Sequence, residues 1–201
     1  DNRSLADPEN PENYRPMPTL RDLYDELAGD ARMERVRNIL SKYVTGSASN
    51  FSKPTNVSLD NMYTVLDLGA FEHNTKMLPV AIYIALDLVN DKVKEDRTVN
   101  KRIFIDEIWK LIGKGAPPMA AQAVLEMYKT YRGYGAGVVV ATQELGDFFS
   151  LDGGAYAQAI LNSSPLGMIM STETSALNQL ADILGLRTSE KATIMNLEVG
   201  E

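Results

Sequence analysis

Two carboxylates stand side by side in "KRIFIDEIWKLIGKG", residues 101 to 115, where a short apolar run gives way to Asp106 and Glu107. Successive side chains on an extended backbone point apart, so adjacent carboxylates at a strand end can serve two tasks. One can hold a hydrated Mg2+ while the other orients or deprotonates a water, the division of labour that phosphoanhydride hydrolysis requires. A purely structural alternative has Asp106 capping the helix "EIWKLI" and Glu107 complementing its dipole. A second apolar run, "GVVVATQELGDFF", ends in Thr142 and Gln143. An amide there can hydrogen-bond a terminal phosphate or an attacking water, or it can cap a helix. Between the two runs, "EMYKTYRGYG" sets Lys129 and Arg132 three residues apart near a helix C-terminus. Cations at that position also complement the helix dipole.

These residues need elements to hold them. Four apolar runs of strand length occur: "YTVLDLG" from Tyr63, "RIFID" from Arg102, "GVVVAT" from Gly137 and "LGMIMS" from Leu166. They are near-continuous rather than alternating, which predicts strands buried on both faces, and helical stretches separate them. The pattern is that of an α/β fold, a parallel sheet with crossover helices. Ligands of such sheets bind outside the carboxyl ends of the strands, so Asp106, Glu107, Thr142 and Gln143 are expected at one edge. Arg132 is expected at the same edge, one strand from Asp106. Residues 1–18 hold four of the nine prolines among charged and amide residues and read as a linker. Residues 19–50 form a helical segment, with Thr19 and Asp22 in capping-box spacing and Gly29 dividing two helices. The second of these carries Met33, Val36, Ile39, Leu40 and Tyr43 on one side. Residues 51–201 form the α/β core, closed by helices near 173–183 and 188–196.

Composition narrows the chemistry further. The 201 residues contain no cysteine, which removes disulfides, thiolate metal sites and cysteine nucleophiles and suits a reducing compartment. The single histidine, His73, rules out multi-histidine metal sites and reads as a surface residue in the polar turn "GAFEHNT". A net charge of −7 gives no support to a general nucleic-acid binder. No signal peptide opens the chain, and the most apolar helical stretch, "MLPVAIYIALDLV", carries Asp87 and is shorter than the ~20 residues that cross a bilayer. A cytoplasmic location is expected.

In their order, "TNVSLDNMYTVLDLG", "RIFIDEIWKLI", "YKTYRGYGAGVVVATQELGDFF" and "ILNSS" resemble the C-terminal ATPase domain of the VirB/TrbE-type motor proteins of conjugative type IV secretion systems, over roughly residues 18–201. The resemblance implies a RecA-like P-loop NTPase core that binds ATP and Mg2+. It makes "RIFIDE" the Walker B strand, with Asp106 toward Mg2+ and Glu107 as the catalytic carboxylate. Gln143 becomes the sensor glutamine. Lys129 and Arg132 match the basic motif, with Lys129 and Thr142 toward the nucleotide and Arg132 as an arginine finger. Trp109 is similar to the tryptophan that follows Asp-Glu in that family. A hexameric parent at the cytoplasmic face of the membrane, partnered by other secretion components, is implied as well. One departure stands out: no stretch reads G-x-x-x-x-G-K-[ST]. The expectation is therefore a fragment without the phosphate loop and its strand, inactive by itself. A DNA translocase of the HerA/FtsK group and a non-catalytic scaffold with the same fold are the alternatives.

Overall fold

The computed structural model describes residues 17–172 and 174–198. All but the last two residues of the expected 1–18 linker lie outside that range. Contacts divide the chain into two units, one reaching to Met62 and the other beginning at Tyr63.

In the N-terminal unit, helix α1 spans Leu20–Glu26 and α2 spans Glu34–Val44. The expected capping box is present. The Thr19 hydroxyl accepts from the Asp22 amide, and the Asp22 carboxylate accepts from the Thr19 N–H at 2.6 Å, satisfying two otherwise orphaned donors. The Arg21 guanidinium donates to the Val44 carbonyl at 2.8 Å, and Arg37 lies 4.2 Å from the centre of the Tyr24 ring. Val36 and Ile39, expected on an apolar face of α2, remain exposed. The 3-10 turn Ser49–Ser52 packs on both helices, so this unit continues past the expected boundary at residue 50.

The second unit runs α3 (Leu78–Glu95), β1 (Lys101–Ile105), α4 (Trp109–Ile112), α5 (Pro118–Thr130), β2 (Ala136–Val140), α6 (Leu145–Phe148), α7 (Ala155–Ser163), α8 (Thr174–Leu184) and α9 (Thr188–Met195). β1 and β2 pair in parallel, with Lys101 opposite Ala136 and Ile105 opposite Val140. Parallel neighbours need a long crossover, and α4 with α5 supplies it. Gly135 makes the turn into β2 at φ +68°, a conformation that favours glycine, and its carbonyl accepts from the Lys101 N–H at 3.0 Å to start the ladder.

The apolar interior falls into two clusters along this ladder. At the amino end of the strands, Val93, Met127, Tyr131 and Ala136 pack against Ile103 and Val138. At the carboxyl end, Ile108, Ile112, Val124, Phe148, Phe149 and Ile160 pack against Ile105 and Val140. The second cluster is the floor on which the site residues stand.

Two of the four expected strands form. Residues 63–69 and 166–171 make no ladder among the described residues, and both are largely exposed: Leu66, Leu68 and Ile169 are half-buried, while Tyr63, Val65, Met168 and Met170 are exposed. A strand is defined by its hydrogen-bonded neighbour, and neither segment has one among the described residues. The expectation of strands buried on both faces is likewise corrected. Phe104 is 72% exposed and Val139, opposite it, 45%, because every described helix that packs on the sheet does so through the face that carries Ile103, Ile105, Val138 and Val140. Among the described residues, no helix is long and apolar enough to cross a membrane.

Candidate functional site

The β1–β2 ladder does not stop at the strand ends. The Ala141 N–H donates to the Ile105 carbonyl at 3.0 Å, and the Ala141 carbonyl accepts from the Ile108 N–H at 3.0 Å. Asp106 and Glu107 are thus looped out between two bonds to a single residue of the neighbouring strand. That loop requires Glu107 to adopt φ +50°, the left-handed region that costs a non-glycine residue about 1 kcal/mol. Strain of this kind persists only where the surroundings hold it.

The surroundings here are side chains. Glu107 Oε2 accepts from the Trp109 indole Nε1–H at 2.6 Å, a short charge-assisted bond, and Oε1 accepts from the amide Nε2 of Gln143. Gln143 follows β2 as Glu107 follows β1, so the sheet register brings the two together across 36 residues of sequence. Asp106 is exposed beside them, and its Oδ1 accepts from the Glu107 N–H at 3.0 Å.

These bonds bear on the capping roles left open by the sequence. Neither Asp106 nor Gln143 caps a helix: the N-caps of α4 and α6 are Ile108 and Glu144, and neither makes a side-chain cap bond. Thr142 does bond backbone, its hydroxyl accepting from the Glu144 N–H at 3.2 Å. Glu107 and Gln143 are thus joined at the carboxyl edge of the sheet, with Asp106 and Thr142 next to them in the chain.

Lys129 and Arg132 do not join them. α5 leaves the carboxyl edge and returns to the amino edge, Lys129 lies in its last turn, and Arg132 sits in the 3-10 turn Tyr131–Tyr134 that leads into β2. The five residues of β2 then separate Arg132 from the site by roughly 15 Å. Its expected place at the carboxyl edge is corrected by this topology, and Arg132 cannot line the site formed by its own chain. Both cations are exposed and stand where they complement the α5 dipole.

One neighbour escaped the sequence reading. The Lys110 ammonium donates to Glu72 at 2.7 Å and lies 5.7 Å from the centre of the Trp109 ring. The bond to Glu72 pushes the Lys110 pKa up, with the charges of Glu107 and Asp106 adding to it, and the same bond holds the Glu72 carboxyl below its ordinary value. Lys110 is therefore a fixed cation next to the carboxylate pair. A lysine three residues after Glu107 on a helix was the available signal; Glu72, 38 residues earlier, gave none. His73 beside it is exposed, as expected.

Among the described residues no group of three or more acidic, histidine or cysteine side chains gathers to hold a metal. A Mg2+ ion does not need one, since it keeps most of its waters and takes one or two carboxylates together with substrate phosphates. The exposed hard-oxygen donor Asp106 fits that requirement.

A parallel α/β sheet with acidic and amide side chains converging at its carboxyl edge is the site architecture of nucleotide-handling P-loop domains. The TraG P-loop domain family matches residues 28–201, and the chain belongs to that family. Membership makes it a P-loop NTPase domain at the level of class, a group that generally binds nucleotide and Mg2+. The family is defined by a P-loop domain, so the match does not bear out the expectation of a chain lacking the phosphate loop and its strand. The fold is also that of VirB4 of Thermoanaerobacter pseudethanolicus, with a TM-score of 0.78 and 21% identity, covering 96% of this chain and 54% of that one. The chain thus spans about half the length of this structural neighbour. No curated protein matches the sequence.

Proposed function

We propose that the chain supplies the hydrolytic half of an ATPase site in a motor of a conjugative type IV secretion system. The observation that carries the reading is the convergence of Glu107 and Gln143 from two neighbouring strand ends, with Asp106 alongside. In this mechanism the Glu107 carboxylate takes a proton from the water that attacks the γ-phosphorus of ATP, and the bond from that phosphorus to the bridging oxygen breaks, releasing ADP and phosphate. Gln143, one bond from Glu107, orients the water and senses the γ-phosphate. Asp106 would hold Mg2+, which when bound neutralises charge on the β- and γ-phosphates. Thr142 stands at the same edge, toward the nucleotide. The Walker B and sensor roles given to Asp106, Glu107 and Gln143 belong to this proposal.

Arg132, at the opposite edge, is assigned to the nucleotide of a neighbouring subunit in a ring, with Lys129 beside it. A homo-hexamer at the inner face of the membrane, working with other secretion components, completes the proposal. The test is ATP hydrolysis by the complete parent protein with and without Mg2+. Mg2+-dependent turnover that collapses in Asp106→Asn supports the reading. Turnover that ignores both the ion and this substitution refutes it.

A further inference from the structure

Trp109 stands directly beside the carboxylate pair. It is half-buried, packed against the apolar cluster at the carboxyl end of the sheet, and the first residue of α4. Its indole N–H is spent on one acceptor, Oε2 of Glu107 at 2.6 Å. Its ring lies near Lys110, which is tied in turn to Glu72. The indole is fixed on one side by the apolar floor and aims its single donor at the one non-glycine residue that follows β1 in left-handed backbone.

From this geometry we infer that Trp109 is the positioning residue for Glu107. A carboxylate at the end of a flexible side chain has rotations to choose from, and only some present an oxygen to a water above the sheet edge. The indole N–H fixes Oε2 on the α4 side, and Oε1 is then left facing Gln143. A carboxylate oxygen has two acceptor directions, so Oε1 keeps one free for a water while bonded to the Gln143 amide. Trp109 therefore sets which oxygen works and where it points, without touching substrate. Its neighbour Ile108, fully buried and bonded to Ala141, anchors the base of the same turn. The catalytic consequence rests on the proposed hydrolytic role of Glu107, whereas the indole–carboxylate coupling stands without it.

The experiment separates the two. Trp109 is the single tryptophan of the 201 residues, so emission excited at the red edge of the indole band, where the nine tyrosines do not absorb, reports on it alone. In the nucleotide-free chain, Glu107→Ala removes the charged acceptor, the indole N–H turns to water, and the emission maximum shifts. In the complete parent, Trp109→Phe keeps a packed ring but loses the donor. The expected result is a turnover ~10- to 100-fold lower at nearly unchanged KM, the range seen when a supporting hydrogen bond to a site residue is removed. A Glu107→Ala chain that is folded by circular dichroism and shows unshifted emission overturns the inference, as does undiminished turnover of a folded Trp109→Phe parent. An inactive parent together with a Glu107-dependent emission shift refutes the hydrolytic reading and leaves the coupling in place. An active parent with no emission shift does the reverse.

Discussion

Gly113 holds α4 against α6, and replacing it tests whether the two carriers of the site are spaced as described. α4 follows Glu107, and α6 follows Gln143. A Cβ at Gly113 would lie 2.5 Å from the Trp109 carbonyl oxygen and 2.8 Å from that of Asp147, where ordinary contact begins near 3.4 Å. Both obstacles are backbone, so no side chain can swing aside: the end of α4 must shift from the Trp109 carbonyl, and α6 must part from it by several tenths of an ångström at Asp147. Forcing an extra methyl into a packed site of this kind costs about 1–3 kcal/mol. In a chain of this size each kcal/mol lowers the melting temperature by about 2–4 °C, so Gly113→Ala is expected to melt roughly 2–12 °C below wild type. Gly146→Ala is the control. Gly146 lies in α6 with open space where its Cβ would fall and without a positive φ, so alanine there is neutral or stabilising by up to about 1 kcal/mol. Thermal unfolding of both variants by circular dichroism decides the matter. Equal melting temperatures would refute the close approach of α4 to α6.

Three other outcomes are expected. The Tyr131 hydroxyl is buried without a hydrogen-bond partner among the described residues, and burial, helped by Glu126 and Asp91, pushes its pKa up to about 12 from an ordinary 10.0. The native state therefore favours the protonated phenol, and that contribution is whole below pH 10 and lost as pH rises toward about 12. Tyr131→Phe is expected to match or slightly exceed wild-type stability in urea at pH 7 and to lose less at alkaline pH; a marked loss at neutral pH would contradict it. Arg132→Ala in the parent is expected to lower ATPase ~1,000-fold, and mixing it with Glu107→Gln subunits to restore part of the activity, because some interfaces then pair an intact Arg132 with an intact Glu107. Full activity of Arg132→Ala alone would return Arg132 to a dipole-complementing role. Calorimetry of the 201 residues with Mg-ATP tests the missing G-x-x-x-x-G-K-[ST] pattern against membership of a P-loop family: binding no tighter than about millimolar is the outcome for a chain without a phosphate cradle, and micromolar binding would refute that reading and show that the cradle is present.

What the sequence revealed was local. Apolar periodicity and turn residues gave the helices, and the run of bulky residues into Asp106 and Glu107 gave β1 and its end, because those signals reside within one element. The meeting of Glu107 with Gln143 was legible too, since two parallel strands ending in polar residues must end at one edge. What required partners was hidden. The runs at 63–69 and 166–171 have strand composition, yet no neighbour completes their ladders among the described residues. The edge on which Arg132 falls follows from length: 13 residues of α5 span roughly 20 Å, about one strand, so a helix that starts at the carboxyl edge must end at the other. That arithmetic was available, but it needed the chain direction of β1 and β2 to be combined with the helix between them. The aim of the Trp109 N–H and the Lys110–Glu72 pair depend on side-chain directions that no spacing encodes.

The central claim is that Glu107 activates water at the carboxyl edge of the sheet, beside Gln143 and Asp106. Its direct test is the pair of Mg-ATP affinity and turnover in the complete parent carrying Glu107→Gln, which keeps the shape of the side chain and removes its basicity. The expected result is nearly unchanged affinity with turnover lowered ~100-fold or more. Wild-type turnover in Glu107→Gln would contradict it, leaving the strained residue at the end of β1 as a purely structural turn.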